Sequence, residues 1–262
     1  MPGILGGRRA LVTGAASGCG QAVAKLFAAE GAHVAVHART TDRASETMDL
    51  IAKDNGKALA VAADLAVPAE IERMCKAAVD GLGGLDIVVN VAGVITHALV
   101  EDMSVEEWDR VMNTNLRAQF LVSKYTVPAM TSGNSRGRRY VFVSSLSGKF
   151  ADPAESAYCA SKAGIITFAR CFAAEMGKHG ITSNVVAPGW FETKMAKDIV
   201  TSYAEQQQRP FDEVYDQTMK NNMLREKLMP EDMANAVLFF CSDRARNITA
   251  QTLNVCGGLC FW

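Results

Sequence analysis

Tyr158 and Lys162 stand four residues apart in Ser156-Ala157-Tyr158-Cys159-Ala160-Ser161-Lys162, and Ser145 lies thirteen residues before the tyrosine. Ser145 ends the apolar run Tyr140-Val141-Phe142-Val143-Ser144-Ser145. On a helix, residues four apart share a face, so the ammonium of Lys162 comes to lie beside the phenol of Tyr158. A free phenol has a pKa of about 10 and rarely exchanges a proton at neutral pH; a fixed cation favours the phenolate and moves it toward the working range. Tyr158 then becomes a usable general acid/base, and the hydroxyl of Ser145 orients a substrate oxygen against it. A lone Tyr-x-x-x-Lys arises by chance in many helices, so the pair needs independent support.

That support lies at the amino terminus. Arg9-Ala10-Leu11-Val12 reads as a short buried strand and runs into Thr13-Gly14-Ala15-Ala16-Ser17-Gly18-Cys19-Gly20, after which Ala22, Val23, Leu26 and Phe27 recur at helical spacing. Strand, glycine-rich turn and helix in succession form a context for binding a pyrophosphate. Glycines let the backbone approach it, and free N–H groups at the positive end of the helix dipole meet its charge.

Taken together, Thr13-Gly-x-x-x-Gly-x-Gly20, Asn90-Val91-Ala92-Gly93, Asn115, Ser145, Tyr158-x-x-x-Lys162 and Pro188-Gly189 resemble, in order and spacing, the motifs of the short-chain dehydrogenase/reductase family. The resemblance runs from about Gly7 to the Gly257-Gly258 pair. It implies hydride transfer between nicotinamide C4 and a substrate carbon, interconverting a secondary alcohol and a ketone or related carbonyl. Proton transfer runs through Tyr158, with Asn115, Ser145 and Lys162 completing the catalytic set. The cofactor site it implies comprises Gly14, Ser17, Gly18, Cys19, Gly20, Arg39, Asp64, Leu65, Asn90, Ala92, Gly93, Tyr158, Lys162, Pro188, Gly189, Phe191 and Thr193. Ser145, Tyr158 and Trp190 are the implied substrate contacts.

Within that resemblance Asp64 fixes the adenine, with a turn cap as its plainer role, and Asn90 holds its strand beside the cofactor. Asn115 bends its helix and anchors a water that links Lys162 to solvent. Backbone at Phe191 and the hydroxyl of Thr193 meet the carboxamide and phosphates. The chain departs from the family pattern at Val91, where Asn is commoner, and at Cys19, where an aliphatic residue is usual.

Cofactor choice turns on the end of the second strand. Gly31-Ala32-His33-Val34-Ala35-Val36-His37-Ala38-Arg39 offers no acid to accept hydrogen bonds from the ribose of NAD. Arg39 instead comes nineteen residues after Gly20, where its guanidinium suits a 2′-phosphate. NADP(H) is therefore expected, with NAD(H) as the alternative. An ordinary exposed arginine, with Arg43 one turn on, is the plainer reading.

Strand-like runs at Ala10 to Val12, His33 to His37, Ala58 to Ala62, Ile87 to Asn90, Tyr140 to Ser144, Thr182 to Val186 and Thr252 to Val255 alternate with helical patterns. Ile71, Met74, Cys75, Ala78 and Val79 share one helical face, and Trp108, Val111, Met112 and Leu116 another. Strands apolar on both sides, alternating with helices, argue for an α/β fold: a Rossmann-type doubly wound parallel β-sheet with helices on both faces. Asp64, Asn90, Ser145 and Pro188 fall at or just beyond strand carboxyl ends, where such sheets bind ligands.

With 262 residues and 49% hydrophobic content, one domain spanning residues 1–262 is expected. Residues 194–229, from Lys194 to Met229, form a helical lid over the substrate or, more plainly, a packed surface excursion. A net charge of −1 argues against nucleic acid or an anionic membrane as partner. Arg136, Arg138 and Arg139 read as a solvated loop. No apolar run approaches the ~20 residues of a membrane span, and the first residues lack an apolar secretory core, so a cytoplasmic protein is expected. The seven cysteines show no metal-ligand spacing; buried free thiols are expected and no metal site. The helices around Trp108 to Met130 and Ala157 to Met176, with the apolar Leu259-Cys260-Phe261-Trp262, suggest a homo-oligomer, a tetramer by resemblance. Two other functions stay open: a catalytically silent dinucleotide-binding protein on the same fold, and a Ser/Lys hydrolase using Ser145 and Lys162, against which the missing Gly-x-Ser-x-Gly elbow counts.

Overall fold

The computed structural model describes residues 3–133 and 137–262. Seven strands form one sheet: β1 (Arg9–Thr13), β2 (His33–Ala38), β3 (Lys57–Ala62), β4 (Ile87–Asn90), β5 (Arg139–Val143), β6 (Thr182–Pro188) and β7 (Thr252–Val255). Every pairing is parallel, in the order β3-β2-β1-β4-β5-β6-β7. The strands agree with the sequence runs to within one residue at each end, except that β6 extends two residues further, to Pro188.

Nine helices of the described residues surround the sheet: α1 (Gly18–Ala29), α2 (Ser45–Lys53), α3 (Pro68–Leu82), α4 (Val105–Met112), α5 (Ala118–Thr131), α6 (Ser156–Met176), α7 (Lys194–Gln207), α8 (Phe211–Met219) and α9 (Pro230–Cys241). Alternate strand residues feed two cores, because successive side chains point to opposite faces. Ala10, Val12, Ile87, Val89, Val141 and Val143 pack with α1, α2 and α9. Leu11, Val88, Tyr140 and Phe142 pack with α3, α5 and α6. Helices on both faces make the sheet doubly wound. Strand order reverses between β1 and β4, opening a crevice at their carboxyl ends.

Two expectations change. Arg138 and Arg139 are buried, not solvated. Arg138 donates to the carbonyls of Ala129 and Ser132, and Arg139, the first residue of β5, reaches Asp243 at 3.3 Å. Two backbone carbonyls and one carboxylate thus take guanidinium groups that the composition of the loop alone made look exposed. Arg136 lies outside the described residues. Among the thiols, Cys171 is exposed, whereas Cys75, Cys241, Cys256 and Cys260 are buried as expected.

The helical pattern from Trp108 to Tyr125 is interrupted: Asn113–Arg117 forms a π-helical turn between α4 and α5. One extra residue is accommodated there, and Asn115 turns fully inward. α7 and α8 stand outside the two main cores and pack on each other through Ala196, Val200, Ala204, Val214, Tyr215 and Met219. A parallel bridge, Phe191 with Leu228, joins the two ends of this excursion.

Candidate active site

The loop after β1 depends on its glycines. Gly14 (φ +66°) and Gly18 (φ +55°) adopt left-handed backbone, and a Cβ on Gly20 would lie 2.1 Å from the Gly14 carbonyl oxygen. Ser17 precedes α1 without capping it through its side chain, and the first turn carries no acidic residue. The opening N–H groups of α1 therefore remain available to an anion, and the loop fits a pyrophosphate.

Two side chains hold this loop that sequence reasoning did not single out. His37, at the end of β2, accepts from the Gly14 N–H through Nδ1 at 3.0 Å and meets the Ala63 carbonyl through Nε2 at 3.1 Å. Burial lowers the His37 pKa, keeping the neutral ring that can accept and donate at once. Thr13 Oγ1 accepts from the N–H groups of Val91 and Ala92, at 3.0 and 3.3 Å, and ties the end of β1 to that of β4. Asn90, expected to hold this strand, is buried with its side-chain amide unpartnered among the described residues.

A cavity of about 1070 Å³ runs along the strand carboxyl ends. At one end lie Arg39, Arg43, Asp64 and Leu65, in the middle the glycine loop with Ala92 and Gly93, and at the other Ser145, Tyr158 and Trp190. Pro188, Gly189, Phe191 and Thr193 also line it; Asn90 and Asn115 lie behind the wall. Arg39 is exposed and has no hydrogen bond or ion pair among the described residues. The carboxylate of Asp64 accepts from Ala66 N–H at 2.8 Å, so its turn-capping role is realised. Thr193 accepts from Ala196 N–H at 3.2 Å, capping α7, while its methyl faces Gly18.

Ser144 explains how α6 is aimed. Its hydroxyl donates to the Lys162 carbonyl at 2.7 Å, fastening α6 to the end of β5. Lys162 is buried, and its Nζ donates to the Val143 carbonyl at 3.1 Å and lies 5.5 Å from the centre of the Tyr158 ring. Gly93 makes room: a Cβ there would stand 3.2 Å from that Nζ. Asn115 accepts from Val94 N–H and donates to the Val94 carbonyl, both at 2.8 Å, and donates to Ser161 Oγ at 3.0 Å. Ser161 in turn donates to the Tyr158 carbonyl at 2.8 Å. The π-turn is thereby linked to the backbone of α6.

The electrostatics differ from the sequence expectation. Burial pushes the Tyr158 phenol up to about 12; its hydrogen bond with the Ser145 side chain acts in the lowering direction, and the charge of Glu155 raises it further. Burial also brings Lys162 down to about 8. Desolvation, not the neighbouring cation, dominates the phenol. Ser145 itself is bonded to Ser147, and Lys162 to Val143, an arrangement that does not couple the serine to the lysine as a hydrolase would require.

A parallel doubly wound sheet, an anion-accepting glycine loop at its switch point, and a tyrosine with serine and lysine on the same cavity define a Rossmann-type, dinucleotide-dependent oxidoreductase. A family model described as enoyl-(acyl carrier protein) reductase matches residues 14–260. The chain is 37% identical to the 3-oxoacyl-[acyl-carrier-protein] reductase FabG of Vibrio cholerae, over 97% of this chain and 98% of that protein. A short-chain dehydrogenase from Burkholderia cenocepacia, solved in complex with NADP, superposes with a TM-score of 0.85 at 31% identity, covering 97% and 98% of the two chains. The angucycline C-6 ketoreductase LanV, solved with bound NADP, gives 0.86 at 33% identity, covering 98% and 97%. The chain belongs to the short-chain dehydrogenase/reductase family, whose members are NAD(P)(H)-dependent oxidoreductases of alcohols and carbonyls.

Proposed function

We propose that this chain is an NADP(H)-dependent carbonyl reductase in which Tyr158 is the proton donor. The observation that carries the reading is Tyr158 on the cavity wall beside Ser145 and Lys162, with its phenol held in the protonated form. A phenol that keeps its proton at neutral pH suits reduction, in which the developing alkoxide must receive one. Ser145 hydrogen-bonds the substrate oxygen and sets its approach to the Tyr158 hydroxyl. Lys162 holds the nicotinamide ribose and supplies positive charge as the phenol gives up its proton. Asn115 fixes the backbone behind the pair and the water path to Lys162. A bound nicotinamide supplies the hydride.

Gly14, Ser17, Gly18, Cys19 and Gly20 receive the pyrophosphate; Asp64, Leu65, Ala92 and Gly93 enclose the adenosine side. Phe191 and Thr193 meet the carboxamide and phosphates. Arg39, exposed and without a competing partner, pairs with the 2′-phosphate of NADP, and the two NADP-bound relatives support that preference. Trp190 bounds the substrate end. Residues 194–229 act as a lid within a single domain, supported by the separate packing of α7 and α8 over the cavity. A tetramer belongs to the same reading, and a cytoplasmic location is supported by seven free thiols. Following cofactor absorbance over a panel of ketones with NADPH and NADH tests the function. Consumption of NADPH in preference to NADH is expected, and release of a carboxylic acid without cofactor consumption would contradict it.

A further inference from the structure

Beyond Tyr158 the cavity wall carries a carboxylate that proton transfer does not use. Glu155 immediately precedes α6, three residues ahead of Tyr158, and both side chains line the cavity. Glu155 is only 5% exposed. Its Oε1 accepts from His97 Nε2 at 3.0 Å, and its other oxygen has no hydrogen-bond partner among the described residues. The His97 ring meets Tyr203 edge-on with centroids 6.1 Å apart, and Tyr203 meets Trp190 in the same manner at 6.4 Å. His97 and Glu155 are therefore fixed by packing to the aromatic wall of the substrate end.

A buried carboxylate with a single donor is costly unless further donors reach it. The open approach to Glu155 is from the cavity. The neighbouring charges narrow what can approach. Asp152, more exposed on the same wall, adds a second carboxylate, and the Arg209 guanidinium at this end is engaged by Glu213 at 2.7 Å and Gln217 at 2.9 Å. An anionic substrate would meet repulsion from Glu155 and Asp152. A cationic group next to the reacting carbon would face the Lys162 ammonium across Tyr158. An uncharged donor satisfies both constraints.

We infer that Glu155 is a specificity-determining residue that accepts a hydrogen bond from a hydroxyl next to the reacting carbonyl, making uncharged α-hydroxy ketones and the matching vicinal diols the preferred substrate class. This rests on the carbonyl reductase reading above. A site built to accept a substrate hydroxyl discriminates strongly against the analogue that lacks it, because the buried acceptor is then left unpaired.

The test is a matched series of ketones of one chain length: with an α-hydroxyl, without it, with an α-ammonium, and with a carboxylate in its place. Initial rates of NADPH oxidation are measured for the wild type, Glu155→Gln and Glu155→Leu. The wild type should show kcat/KM for the hydroxy ketone at least about tenfold above that for the deoxy ketone, with the keto acid poorest. Glu155→Leu should bring the hydroxy-to-deoxy ratio close to one, and Glu155→Gln, which keeps an acceptor oxygen without the charge, should retain part of the ratio while improving the keto acid relative to the others. The wild-type ranking stands as a test even where a variant fails to fold. Equal rates for hydroxy and deoxy ketones, or preference for the keto acid or amino ketone, would overturn the Glu155 assignment while leaving the reductase reading intact. Unchanged ratios in both folded variants would also overturn it, and reduction of no member would overturn both.

Discussion

At Tyr158 two physical effects oppose each other. The spacing to Lys162 was legible in the sequence, and it argued for a phenol made more acidic by a neighbouring cation. Burial was not legible, and it decides the sign: the phenol rises to about 12 and the lysine falls to about 8. Reduction needs the protonated phenol, which is present throughout the range below that raised value. Oxidation of the alcohol needs the phenolate, which is scarce at neutral pH and grows as pH rises toward 12. The turnover rate of alcohol oxidation should therefore climb with pH from 6 to 10, while carbonyl reduction should show no such climb. Steady-state rates at saturating substrate in both directions check this, and an oxidation rate independent of pH would contradict the raised phenol. Arg39 yields a second expectation at this scale. Removing a guanidinium that pairs with the 2′-phosphate penalises only the phosphorylated cofactor, so Arg39→Ala should cost about 1–3 kcal/mol in kcat/KM for NADPH, with little change for NADH. Equal losses with both cofactors would remove Arg39 from the phosphate site.

Among the elements, the strands were readable because apolar runs bounded by turns carry their own signal, and a parallel sheet buries both of their faces. The π-turn at Asn113–Arg117 was not. Its apolar spacing continues that of the flanking helices, and what widens it is a set of distant partners, Val94 and Ser161, to which Asn115 bonds. An interior Asn hinted at a partner without identifying one. His37 was missed for the same reason: its strand context gave no sign that its ring would accept from Gly14, twenty-three residues earlier. Thr13 and Ser144 likewise act through backbone groups far along the chain. The excursion containing α7 and α8 was legible as helical, and its separate small core gives a physical reason for it to move as a unit. Limited proteolysis should cut within residues 194–229 of the free enzyme and be slowed there by cofactor with substrate. Identical cleavage with and without them, together with unchanged substrate preference after the segment is shortened, would rule out a lid.

For the whole molecule, most of the cavity was legible as a set of motifs; their meeting in one trough depends on the strand order. The apolar surface remaining outside this cavity points to association. Trp108 and Phe120 on the α4–α5 side are 38% and 44% exposed, and Phe261 and Trp262 are 74% and 65% exposed. Water leaves such surface favourably when copies pair. Sedimentation should give a homo-oligomer, with a tetramer as the expected species, and a concentration-independent monomer would refute it. The central claim, that this family member reduces a carbonyl with Tyr158 as proton donor, is tested most directly by Tyr158→Phe. With a ketone that the wild type reduces, NADPH turnover by Tyr158→Phe should fall by about 10²-fold or more while NADPH affinity by titration stays close to that of the wild type, whereas Lys162→Ala should lose both. Near-normal turnover by Tyr158→Phe would contradict the mechanism.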